Sequence, residues 1–286
     1  MVITLILVLL LVWCFVHYRI AEVNPTKIET YSLNEIMNAK HGQDHSFKKV
    51  LVFNSFSYKD NKIPEYAKYS TIINKLYCDR YGYIYKQINH PVDEMPPYWL
   101  RVKDAYEILN QGIYDIVVYL DLDAIFYDFE RPLADIIDND YNFYIGSDPK
   151  LPFSYGMLNN IVNTGCFIIK NNKWSRDFVQ NWLYACMDEN GVLSGVCKHD
   201  WNISRNKWKC EGCNWAGIKY EQGMLGNLYI SNVQNAQKHV CIFDQEVLSN
   251  TNPSKKSFVL HMMDTNDSDR EHVFKTALEQ VHQQNL

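Results

Sequence analysis

The sequence predicts an α/β domain organised around a parallel sheet, and three observations lead there. From about residue 48, apolar segments of strand length alternate with amphipathic segments of helix length. Glycines stand just past the first two helical segments, where a helix stops. The third strand segment, "DIVVYLDLD", is apolar almost throughout, as a strand covered on both faces must be.

The elements follow in order. "KVLVFNSF" reads as a strand ending in polar residues, and "PEYAKYSTIINKLYCDRYG" as a helix with Pro64 near its start and Gly82 past its end. "YIYKQI" is a second strand. "PPYWLRVKDAYEILNQG" is a second helix, with Trp99, Val102, Ala105, Tyr106 and Leu109 on one face and Gly112 as its stop. After "DIVVYLDLD" come the strands "NFYIGSD" and "GCFIIK", then the helices "KWSRDFVQNWLYACM" and "YEQGMLGNLYI". Two late strands, "HVCIFD" and "SFVLH", precede a terminal helix, "DREHVFKTALEQVHQQ". Residues 48–286 form one domain in this reading, preceded by a polar stem over 21–47.

The bulk properties narrow the function classes. With 286 residues, 47% of them apolar and 14% aromatic, the chain has the makings of a sizeable core. A net charge of -5 without a Lys/Arg stripe excludes nucleic acid as a partner. The apolar run "VITLILVLLLVWCFV", followed by "HYRI" without a small-residue cleavage pattern, is read as an uncleaved signal anchor over residues 1–20. A removed signal peptide and a buried helix are the competing readings. The expectation is a single-pass membrane protein whose body faces the Golgi or ER lumen. Arg19 and Lys27 alone would favour the cytosol under the positive-inside rule, so the side stays open.

Cys78, Cys166 and Cys241 sit in apolar patterns that suit buried thiols. Cys186, Cys197, Cys210 and Cys213 cluster with His199, and either disulfides or zinc fit that cluster. Asn202 and Asn266 each begin an N-glycosylation sequon.

The chemistry centres on Asp121 and Asp123. Two carboxylates at the exit of a buried strand are costly unless something neutralises them. Residues i and i+2 can point to one side, and Mg²⁺ or Mn²⁺ takes such oxygen ligands while sharing its remaining positions with phosphate oxygens. A turn or cap using Asp for local hydrogen bonds is the plain alternative.

At this point the sequence resembles a family. "YDIVVYLDLDAIFYD" looks like the DxD region of the GT-A glycosyltransferases, and other segments match in the same order: "YCDRYGYIY", "PPYWLRVKDAYEIL", "NTGCFIIKNNKWSRDFVQNW", "YEQGMLGNL" and "FVLHMM". The pattern is most similar to the GT34 galactosyl/xylosyl/mannosyl transferases (GMA12/MNN10-like) and covers roughly residues 48–275. The resemblance implies a Rossmann-like GT-A fold with a mixed, mostly parallel sheet. It also implies retaining transfer of a hexose or pentose from a nucleoside-diphosphate sugar to a carbohydrate hydroxyl, on a glycan or glycoprotein, with Mn²⁺ or Mg²⁺. On that basis Asp121, Asp123 and His261 would hold the metal. Lys103 would reach the diphosphate, Asn163 would contact the donor sugar, and Gln222 with Glu221 would lie on its reacting face. The family's downstream Lys is missing from "HMMDTNDSDREH", where Arg270 is the nearest cation.

Each residue has a structural competitor. His261 could be a hydrogen-bonded structural histidine, Asn163-Thr164-Gly165 an ordinary turn, Lys103 a solvated helix residue, and Gln222 a first-turn residue. Trp174 and Trp182, two helical turns apart, suit core packing. A haloacid-dehalogenase-type phosphatase also writes strand-Asp-x-Asp, but on the first strand of its domain. A sugar-binding GT-A protein without turnover is the other alternative.

Overall fold

The computed structural model describes residues 49–59, 62–138, 140–148, 161–185, 187, 199–202, 207–210 and 216–284. The expected anchor and stem lie outside these residues, as do Cys186, Cys197 and Cys213. Among the described residues no helix is long and apolar enough to cross a membrane.

The alternation read from the sequence is the alternation observed. Strand β1 (Val50–Phe56), helix α1 (Glu65–Tyr81), β2 (Ile84–Asn89), α2 (Pro97–Gln111) and β3 (Ile116–Leu120) follow one another, then β4 (Ala124–Phe126), β5 (Phe143–Ser147) and β6 (Val162–Lys170). Next come α3 (Lys173–Tyr184), the short strands β7 (Asp200–Asn202) and β8 (Lys207–Lys209), and α4 (Glu221–Ile230). The chain closes with α5 (Ala236–His239), β9 (Val240–Phe243), α6 (Gln245–Leu248), β10 (Val259–His261) and α7 (Asp267–Gln284). Gly82 and Gly112 end α1 and α2 at φ 68° and 66°, a left-handed conformation that costs glycine little.

Six strands form the central sheet in the order β2-β1-β3-β6-β5-β9. Strand β1 runs parallel to β2 and β3, and β5 parallel to β9, while β6 lies antiparallel to both β3 and β5. The sheet is therefore mixed and mostly parallel, with β6 as the reversed strand.

The two-residue period of the strands sorts the core into two layers. Val50, Val52, Val118 and Leu120 pack on one side, towards α1, β4, β10 and α7. Leu51, Phe53, Val117 and Tyr119 pack on the other, towards α2, α3 and α4. Trp182 is fully buried in the second layer, as its spacing suggested, whereas Trp174 is half-buried and donates Nε1–H to the Gln234 carbonyl at 2.9 Å.

A candidate metal and donor site at the end of strand β3

The carboxylates follow β3 directly, and the backbone that carries them is held by buried polar side chains. Asn54 Nδ2 donates to the Leu120 carbonyl at 2.5 Å, Ser70 Oγ to that of Leu122 at 2.6 Å, and Asn74 Nδ2 to that of Ala124 at 2.9 Å. Asn74 Oδ1 accepts from the Phe126 amide at 2.9 Å. The Asp121 amide donates to the Gly165 carbonyl at 2.8 Å, and the Met262 amide to the Asp123 carbonyl at 2.9 Å. A turn out of a sheet leaves backbone groups without ladder partners, and here side chains of β1 and α1 supply them.

His261 arrives from the other end of the chain. Strand β10 pairs antiparallel with β4, placing His261 opposite Ala124. Its Nε2 lies 3.3 Å from Asp123 Oδ1 and 3.7 Å from Asp121 Oδ2. One ligand atom from each of the three residues falls within 4.8 Å of the others. Burial alone would push the Asp123 carboxyl up, but His261 and Arg270 beside it hold it down, at about 2. Burial likewise opposes a charge on His261, and Asp123 and Asp121 override it, raising the imidazole above its ordinary value. The imidazole Nδ1 is buried and has no hydrogen-bond partner.

The other expected residues divide. Asn163, Thr164 and Gly165 are not a turn but part of β6, at the shift in its pairing with β5. Asn163 Oδ1 accepts from the Gly165 amide at 3.0 Å, and Asn163 lines the same cavity as the carboxylates. Glu221 is buried and accepts from Thr164 Oγ1 at 2.7 Å. Burial pushes its carboxyl up, partly offset by Arg101 and Thr164. Its own carbonyl accepts the indole N–H of Trp182 at 2.8 Å, which fixes the start of α4. Gln222 Oε1 accepts from the Thr164 amide at 3.2 Å, and Nε2 donates to Asp148 Oδ2 at 3.4 Å.

Lys103 is not brought to the cavity. It pairs with Glu94 at 2.5 Å and lies 3.9 Å from Glu107. Two residues earlier on the same helix, Arg101 lines the cavity instead. Arg101 Nη2 lies 2.9 Å from Asp121 Oδ1, Nη1 donates to Asp121 Oδ2 at 3.1 Å and lies 3.8 Å from Glu221, and the guanidinium covers the Tyr119 ring at 4.9 Å. Two residues are about 200° of helix, so the two cations face opposite ways. The helical phase of α2 carries this signal: Tyr98 and Arg101, one turn apart, both line the cavity.

Arg270, from the first turns of α7, closes the far side. Its Nη2 lies 3.0 Å from Asp123 Oδ2, Nε donates to the Met262 carbonyl at 3.0 Å, and the guanidinium covers the Tyr66 ring at 5.2 Å. The cavity has a volume of about 530 Å³ and gathers five acidic residues, Asp121, Asp123, Asp148, Glu221 and Asp264, with two guanidiniums. That is the size of a small-molecule site.

The sequence profile of the nucleotide-diphospho-sugar transferases matches residues 92–270, more than half of the chain. The chain belongs to that family. Its structure resembles a glycosyltransferase involved in glycosylating the major capsid of PBCV-1. That likeness spans 80% of this chain and 99% of the other, with 14% identity and a TM-score of 0.54. It establishes the GT-A fold of this transferase. A more distant likeness, to a Drosophila β1,4-galactosyltransferase 7 variant in complex with manganese, UDP-Gal and xylobiose, has 12% identity over 78% of this chain and 73% of that one. Its TM-score of 0.40 is too low to carry weight.

Among curated proteins, the Arabidopsis thaliana "Probable xyloglucan 6-xylosyltransferase 5" is 29% identical over 128 residues, in keeping with the GT34 resemblance. The aligned part is 43% of this transferase and 27% of that protein, so the transferase matches about a quarter of its relative's length. The phosphatase alternative loses its footing: Asp121 follows the third strand of the sheet, and the matching profile is that of a transferase.

Proposed function

We propose that this chain is a metal-dependent glycosyltransferase that moves a hexose or pentose from a nucleoside-diphosphate sugar to a carbohydrate hydroxyl, with retention. The observation that carries the proposal is the convergence of Asp121, Asp123 and His261 from two distant strands, beside Arg101 and Arg270, in one cavity.

The residues fit a divalent ion. Two carboxylates and an imidazole are ligands that Mn²⁺ accepts, and Mg²⁺ takes the carboxylates. His261 Nε2 lies 3.3 Å from Asp123 and 3.7 Å from Asp121, a spacing at which the three groups would share one ion. An ion held by these three groups supplies charge neutralisation for a departing diphosphate.

The chain's own residues do the rest. Arg101, gripping Asp121 by both oxygens, fixes the carboxylate and limits the negative charge at the site. Asn163 and Gln222, anchored to β6, present carboxamides where the donor sugar would lie. Glu221 is enclosed by Thr164 and Arg101, so it supports Gln222 and the guanidinium rather than reaching the sugar itself. In a retaining transfer the acceptor hydroxyl attacks from the face the diphosphate leaves. Its proton passes to the departing phosphate, and the Gln222 carboxamide oxygen steadies the positive sugar carbon.

We also infer that the body of the protein works in the ER or Golgi lumen, tethered by the apolar run before residue 20. Cys210 is disulfide-bonded, which favours the disulfide reading of its cluster and suits an oxidising compartment. Protease protection of the domain in sealed microsomes is the expected result; full digestion without detergent would place it in the cytosol.

The transferase reading is tested by incubating the full chain with Mn²⁺, a panel of UDP- and GDP-sugars and an oligosaccharide mixture, and following release of the nucleoside diphosphate. Release from one donor, absent in Asp123→Ala, is expected. Donor binding without release from any sugar would instead favour a sugar-binding protein that has lost turnover.

A further inference from the structure

The cavity has a different chemistry away from the carboxylates. Tyr98 and Tyr220 both line it, their rings 4.7 Å apart and tilted by 48°. They come from separate segments tied together behind the wall, because Trp99 Nε1 donates to the Lys219 carbonyl at 3.3 Å. His199, itself buried, presents its ring 5.4 Å from each tyrosine in edge-on contact. The chain then runs directly into the β7–β8 hairpin. There Trp201 and Trp208 are register partners with rings 5.4 Å apart, and Trp208 Nε1 donates to the Val92 carbonyl at 3.1 Å. His199 packs against both tyrosines and lies two residues before Trp201, so the chain leads from the tyrosine wall into the tryptophan pair.

Tyr220 immediately precedes Glu221 and Gln222 at the start of α4 and lines the cavity with both, so the aromatic wall stands beside these two residues. A nucleoside-diphosphate sugar is long, with the metal-bound diphosphate at its middle; its base and its transferable sugar lie on opposite sides of that point. The side with Glu221 and Gln222 is the sugar side, and what lies beyond the sugar is the acceptor.

We propose that Tyr98 and Tyr220, extended outward by Trp201 and Trp208, form the acceptor subsite, and that its ligand is a neutral oligosaccharide. A sugar ring has an apolar face of C–H groups and a rim of hydroxyls. Tyr and Trp match it with a broad apolar face and one polar tip. The two tryptophans add a position beyond the cavity, so a chain of several sugars makes contacts that a disaccharide does not reach. This assignment rests on the transferase reading above.

The experiment uses the full chain with Mn²⁺ and UDP, and titrates cellopentaose, mannotriose and xylobiose by saturation-transfer NMR. Wild type is compared with Tyr220→Ala, Tyr220→Phe and Trp201→Ala. At least one oligosaccharide is expected to bind, and either alanine variant to weaken it roughly 5–100-fold, the range of losing one stacked ring. Tyr220→Phe, which keeps the ring, should retain most of the affinity, and Mn²⁺–UDP affinity should stay the same in all three variants. Loss of Mn²⁺–UDP affinity in Tyr220→Ala with oligosaccharide binding unchanged would make this wall a nucleobase platform and overturn the proposal. So would indifference of oligosaccharide binding to both alanine variants, or no binding of any panel member to wild type. Release of nucleoside diphosphate by wild type, followed in parallel, separates the two claims. Release with indifferent variants overturns the subsite alone; variant-sensitive binding with no release from any donor overturns the transferase reading alone.

Discussion

The ring of His261 lies against the bare α-carbon of Gly165: a β-carbon at that position would stand 2.0 Å from His261 Cε1 and 2.6 Å from both ring nitrogens. No side chain can share that space, so the glycine in "NTG" is a seat for the histidine. Gly165 also accepts the Asp121 amide through its carbonyl, so one residue of β6 positions two of the three groups proposed to hold the metal.

Gly165→Ala should therefore displace the imidazole and weaken Mn²⁺ binding by about 10–100-fold, the usual effect of losing a group that orients a ligand. A Mn²⁺ titration followed by calorimetry, with circular dichroism to confirm the fold, checks this. An unchanged titration would show that His261 lies outside the ligand set.

Arg101 is nearly enclosed and compensates Asp121 and Glu221 together. Arg101→Met should destabilise the fold by about 3–5 kcal/mol, because buried carboxylates are left without their partner. Arg101→Lys should recover only part of that, since an ammonium cannot bridge both oxygens of Asp121 as the guanidinium does. Urea denaturation of the three proteins gives the comparison.

Arg270 has a different outlook, because its guanidinium neutralises Asp123 from the cavity side. In Arg270→Met, Mn²⁺ binding without nucleotide should be maintained or strengthened, since a competitor for Asp123 is gone. UDP binding to the Mn²⁺-loaded protein should weaken roughly 10–100-fold through the loss of one charged hydrogen bond. Parallel losses in both titrations would mean that Arg270 only braces the fold.

His90 gives a pH signature away from the site. Its Nε2 lies 2.9 Å from Asp104 Oδ2 and its Nδ1 3.1 Å from Glu94 Oε2. The bond to Asp104 outweighs burial and raises the imidazole above its ordinary 6.5. The folded state thus binds the proton more tightly than the unfolded chain. The stability from this pair is fully present below about pH 6.5 and is lost as the pH rises through the folded value. His90→Gln should cost more stability at pH 5.5 than at pH 8.5, and urea midpoints at the two values measure the difference. An equal loss at both would show that His90 folds neutral.

Much of this was legible in the sequence, for identifiable reasons. Buried strands and capped helices carry strong local signals, so β1, α1, β2, α2 and β3 stand where periodicity and glycines put them. Asp121 and Asp123 stand out because their charge interrupts an apolar run, whereas His261 is singled out only through the family resemblance. Lys103 was misplaced because motif spacing names a residue type, whereas the phase of the helix decides which cation faces inward. The reversed direction of β6 and the clamps from Asn54, Ser70 and Asn74 depend on contacts between distant segments, such as Asn74 with Ala124 and Phe126, that no local pattern encodes. The aromatic wall was hidden for the same reason: Tyr98, His199 and Tyr220 meet only in the fold.

In the proposed site, Asp121, Asp123 and His261 hold a divalent ion against a nucleoside diphosphate. The direct measurement is calorimetric titration of Mn²⁺ into the UDP-saturated full chain and into its Asp121→Ala/Asp123→Ala variant. One ion bound per wild-type chain, with affinity lost in the variant while the fold persists, is the predicted result. Equal Mn²⁺ binding by both proteins would contradict it.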